Sequence, residues 1–123
     1  MQSVISRLAA LFVVAALSGC AGMAEYPLGI PVSATGKFYP SMEAVAASHG
    51  YQVVHQPQSL NVDTELGWLQ YMQRNGSIVL VVIADTDGLT DAQIEKRKIE
   101  MKKLSDDLVK EARRNAREAS AFD

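Results

Sequence analysis

The chain has 123 residues, 48% hydrophobic and 21% charged, with 12 Lys+Arg against 14 Asp+Glu. That length suits one domain and leaves no room for a two-domain enzyme. A formal charge of −2 argues against a dedicated nucleic-acid binder, whose phosphate contacts need a basic surface.

The first 19 residues have the three zones of a secretory signal. A short polar start carries Arg7, the run Leu8–Leu17 is entirely apolar, and small residues follow. Ten apolar residues are too few for a spanning helix, which needs about 20. The run ends at Leu17-Ser18-Gly19-Cys20, an aliphatic residue, two small residues and a cysteine. In this the segment resembles the lipobox of a type II, bacterial lipoprotein signal. The resemblance implies that the Cys20 thiol receives a diacylglyceryl group and that cleavage makes Cys20 the first mature residue. Two or three acyl chains anchor stably, each buried CH₂ contributing about 0.8 kcal/mol. It further implies a cell-envelope location, with the lipid membrane as partner through acylated Cys20. Ala21, where an inner-membrane protein of a Gram-negative source would carry Asp, favours the outer membrane, facing the periplasm. Cys20 is the only cysteine, so lipidation leaves the exported domain neither a disulfide nor a cysteine nucleophile.

Residues 20–40 read as the lipidated cysteine and a flexible tether, punctuated by Gly22, Pro27, Gly29, Pro31, Gly36 and Pro40. Twenty such residues reach about 25 Å. The alternation of Tyr26, Leu28, Ile30 and Val32 leaves an edge strand open, while Pro27 and Pro31 argue against a central one.

The expected domain covers residues 41–123, with an α+β fold: a short helix, an antiparallel meander of three to four strands and a long C-terminal helix. Ser41 can cap a helix through Ser48, with Gly50 as its left-handed terminator. Strands follow at Tyr51–His55, Leu60–Asp63 and Leu66–Gln73. Asn75-Gly76 predicts a tight hairpin into Ile78–Ala84, whose apolar run implies a central strand covered on both faces. Thr90 and Gln93 form a capping box for the long helix, whose residues Ile94, Met101, Leu104, Leu108 and Ala112 share one face. Its last turns are expected to project, with Ser105-Asp106-Asp107 as a point of breakage. The predicted core is Val45, Val53, Trp68, Leu80, Val82, Met101, Leu104 and Leu108.

The motifs that resemble chemistry are weak. Ile83-Ala84-Asp85-Thr86-Asp87-Gly88-Leu89 resembles the first motif of haloacid-dehalogenase-like phosphatases. However, Leu89 departs from its Thr or Val, and too little chain follows to build that fold. A strand-to-helix turn is the simpler reading. His49 and His55 lack metal-ligand spacing, so no metal, cofactor or catalytic residue is assigned. Trp68 and Met72 alternate onto one face of their strand and Tyr71 onto the other. With Tyr51, Trp68 and Tyr71 are the candidate partner surface if a small sheet leaves them exposed. On the long helix Lys96, Lys103, Lys110, Arg114 and Arg117 form a basic stripe beside Glu100, Asp107, Glu111 and Glu118. Pairs such as Lys96/Glu100 and Lys103/Asp107 suggest a solvated face. The expected function is therefore a membrane-anchored, non-catalytic interaction or structural module with an envelope protein partner. The alternative is a carrier of a small apolar ligand or lipid in a cleft lined by Met72, Met101 and Trp68.

Overall fold

The computed structural model describes residues 22–115. The expected signal segment, the lipobox-like run ending at Cys20, Ala21, and Arg117 and Glu118 lie outside the described residues. The element order is β1 (Met23–Pro31), a 3₁₀ turn (Val32–Ala34), α1 (Thr35–Ser48), β2 (Gln52–Gln56), β3 (Ser59–Thr64), β4 (Gly67–Arg74), β5 (Ser77–Ala84) and α2 (Asp91–Asn115). The strands form one antiparallel sheet in the order β1-β5-β4-β3-β2. Both helices pack on the same face of it.

The α+β class is as the sequence predicts, but the sheet has a fifth strand drawn from the expected tether. β1 lies along β5, pairing Met23 with Ile83 through Pro27 with Val79, and resumes after a bulge with Ile30 opposite Ile78. Gly29, at φ +70°, makes the bulge. An edge strand hydrogen-bonds on one side only, which is why two prolines are tolerated. Val32 N–H then donates to Gly76 O at 3.0 Å, tying the end of β1 to the hairpin turn.

The first helix also starts earlier than expected, at Thr35 rather than at a Ser41 cap. Pro40 lies inside it, normally an unfavourable position. Burial overrides that preference: Phe38, Tyr39, Met42, Val45 and Ala46 are all buried, and each large apolar side chain so placed contributes about 1.5–3 kcal/mol. Gly50 ends the helix as predicted, at φ +82°. Tyr51 N–H reaches Ala46 O at 3.1 Å and Gly50 N–H reaches Ala47 O at 2.9 Å, the paired closure of a Schellman motif.

The other local signals hold. Asn75 (φ 53°) and Gly76 (φ 82°) form the left-handed hairpin turn between β4 and β5. Thr90 and Gln93 cap α2 reciprocally: Thr90 N–H donates to Gln93 Oε1 at 2.8 Å, and Gln93 N–H to Thr90 Oγ1 at 3.2 Å. The predicted break at Ser105-Asp106-Asp107 does not occur. Ser105 is fully buried and its hydroxyl lies 2.7 Å from that of Tyr71, so the serine helps hold α2 on the sheet. Within α2, Glu95 pairs with Lys98 and Lys102 with Asp106, where the sequence suggested Lys96/Glu100 and Lys103/Asp107. The i,i+4 rule gives several equivalent spacings, and side-chain packing selects among them.

Candidate functional site: the uncovered face of the sheet

The pleat sends alternate residues to opposite faces, so the register fixes both surfaces. Toward the helices point Leu60, Val62, Leu69, Tyr71, Ile78, Leu80 and Val82, all with no measurable exposure. Tyr71 is the centre of this side. Its ring meets Phe38 edge-on at 5.7 Å, its hydroxyl pairs with Ser105, and its carbonyl accepts from the Tyr39 hydroxyl at 3.3 Å. Burial pushes the Tyr71 hydroxyl far above its ordinary pKa of 10, reinforced by the nearby Asp106 charge and partly opposed by the Ser105 hydrogen bond. Tyr71 is therefore a core residue and no part of a partner surface.

The opposite face carries three rows of side chains. The first is Met23, Ile83, Trp68 and Asp63; the second Glu25, Val81, Gln70, Asn61 and Val54; the third Pro27, Val79, Met72 and Ser59. No described helix packs on it. Here β5 departs from expectation, since only one of its faces is covered. Val79 and Val81 are nonetheless buried, at 7% and 3% exposure. Arg74 of β4 and Glu25 of β1 flank β5 and join through a 3.0 Å ion pair. By register that pair crosses above Val79, and the stems of long side chains cover apolar surface as they do so.

Of the predicted core residues, Trp68 is the one that lies outside the core. It is 37% exposed on this face, as is Val54 at 44%. Sequence alternation correctly separated Trp68 and Met72 from Tyr71 but could not say which side the helices would take. Tyr51 stacks on His49 at 6.1 Å and packs against the core, on the helix side. The three candidate aromatics thus do not gather into one surface; only Trp68 belongs to the open face. The ligand-carrier residues also separate, because Met101 is in the core while Met72 and Trp68 are on the far face.

The remaining candidates are accounted for by local structure. Asp87 N–H donates to Asp85 Oδ1 at 3.2 Å, Leu89 N–H to Thr86 O at 3.1 Å, and Gly88 has φ +74°. The aspartates shape a turn. Arg97 of α2 donates to Asp85 O at 3.0 Å. His49 bonds Glu111 at 2.9 Å, joining the end of α1 to α2, and His55 sits 3.7 Å from Glu43. Among the described residues, no cluster of three or more His, Cys, Asp or Glu side chains could hold a metal ion. Among them, too, no helix is long and apolar enough to cross a membrane. A shallow recess of about 300 Å³, bordered by Asp63, Glu65, Trp68, Ile83 and Asp85, opens at the end of the sheet where β1 begins. No protein-family model and no curated protein sequence matches the chain.

Proposed function

We propose that this protein is a membrane-anchored bacterial envelope lipoprotein, held through acylated Cys20, whose domain is a non-catalytic module binding a protein partner on the uncovered sheet face. The lipobox supports the anchor. The single observation that supports the module is the open face itself: no described helix packs on it, and it presents Val54 and Met72 beside Val79 and Val81 among polar side chains, with the domain's other apolar side chains largely drawn to the helix side. An outer-membrane, periplasm-facing position follows from Ala21 in a Gram-negative source.

The test is site-specific photo-crosslinking in the living cell. A photoreactive residue replacing Val54, exposed on the open face, is expected to give one discrete protein adduct. The same residue replacing Ile99, 67% exposed on α2, is expected to give none. Equal labelling at both positions would count against a dedicated face. In parallel, mass measurement is expected to find acyl chains on Cys20 and to lose them in Cys20→Ser.

A further inference from the structure

We infer that the row Met23–Ile83–Trp68 is a membrane-contact surface, seated in the headgroup layer of the bilayer that holds Cys20. The inference rests on the lipoprotein reading above and adds to it how the domain meets the lipid. A single residue, Ala21, joins Cys20 to Gly22, so the two are at most about 7 Å apart along the chain, and Gly22 is part of the fold. Its carbonyl accepts from Ala84 N–H at 2.8 Å. A side chain there would meet Thr86 Cγ2 at 2.6 Å and Ala84 O at 2.9 Å, so the chain is pinned against the end of β5 with no slack. The headgroup layer of each leaflet is about 6 Å thick. An acylated Cys20 therefore holds this end of the sheet at the lipid surface, where a free tether would have held it tens of ångströms away.

Met23, the first residue of β1, pairs with Ile83, and Ile83 pairs with Trp68. All three side chains lie on the uncovered face, in the row nearest the anchor. Neighbouring strands are about 4.8 Å apart, which puts Trp68 about 10 Å to the side of Met23 at the same height. Tryptophan, with an apolar ring and one N–H donor, is favoured at the headgroup boundary. Asp63 is the cross-strand neighbour of Trp68, and Glu65 and Asp85 border the same recess. These carboxylates fit a zwitterionic surface, whose cationic groups they can face, better than an anionic one. The domain then stands on this end of its strands, with the rows containing Val81, Val79 and Met72 turned sideways toward other envelope proteins.

Trp68 is the only tryptophan in the chain, so fluorescence excited at the red edge, where the four tyrosines do not absorb, reports on this row alone. The acylated protein is reconstituted into phosphatidylcholine vesicles with or without bromine on the acyl chains near the headgroups. Bromine is expected to lower the emission roughly twofold or more. Inserting a spacer of roughly twelve Gly/Ser residues between Ala21 and Gly22 lowers the effective concentration at the surface and is expected to remove about half of that quenching or more. Full quenching despite the spacer would overturn the role given to the short link. An acylated protein whose Trp68 is unquenched by bromolipid but open to acrylamide would overturn the contact itself. Shielding from both agents would assign the row to a protein or a second copy, and overturn it equally. Finding no acyl chain on Cys20 would instead remove the lipoprotein reading, and this inference with it.

Discussion

The two faces of β5 carry similar residues and put them to different ends. On the helix side, Leu80, Val82, Leu69 and Tyr71 are sealed under α1 and α2, and their polar atoms are satisfied internally through Ser105 and Tyr39. On the far side, Val79, Val81, Ile83 and Met72 have no described helix over them, and the Arg74–Glu25 pair crosses above Val79. Residue type does not separate the faces; what packs on them does. An apolar strand face is core where a helix covers it; where no described helix does, it is the surface proposed above for partners.

The sharpest way to break this comparison is to place one charge on each side of β5. Leu80→Asp buries a carboxylate without a partner and is expected to cost at least about 4 kcal/mol, enough to unfold a small domain. Ile83→Asp, three residues on and facing outward, is expected to cost about 1 kcal/mol. Denaturant titration of both variants checks the contrast, and equal losses would mean that the outer face is covered too.

A smaller effect is expected from Tyr71→Phe, about 1–2 kcal/mol, because it leaves the buried Ser105 hydroxyl without its partner. The pH dependence sharpens it. The folded pKa of Tyr71 is raised above the ordinary value of 10, so the stabilisation linked to its neutral hydroxyl is complete below that pH. It is lost as the pH rises beyond 10, where the unfolded chain ionises first. Wild-type stability is expected to fall in that alkaline range, and Tyr71→Phe to lack this component. Urea midpoints measured on both sides of pH 10 test the sign.

The smallest effect is expected at Trp68. Despite its size, Trp68→Ser is expected to lower stability by only about 0.5 kcal/mol, because the ring lies on the open face. A loss of several kcal/mol in calorimetry would return Trp68 to the core.

Much of this architecture was legible where a local rule has one outcome. Asn75-Gly76 demands left-handed backbone, Thr90 and Gln93 satisfy each other's N–H groups, and Gly50 ends a helix as few other residues can. Where the outcome needed a distant partner, the signals misled. Pro27, Pro31 and Pro40 read as a tether, yet β5 offered a pairing edge, and the core rewarded the i, i+4, i+7 spacing of Phe38, Met42 and Val45 despite Pro40. That helical spacing was present in the sequence but was outweighed by the punctuation around it.

The site divides in the same way. The sequence alone determined the lipobox pattern at Cys20, the α+β class and the assignment of Trp68 and Tyr71 to opposite faces, because each follows from covalent order or from a period of two. Only the tertiary structure decided that Tyr71 is the buried one, that the described helices cover β5 on one side, and that Gly22 is fixed to Ala84 two residues after Cys20. Alternation along a strand is symmetric between its two faces. The symmetry is broken by where α1 and α2 pack, and that depends on the apolar surface of the whole chain rather than on any local segment.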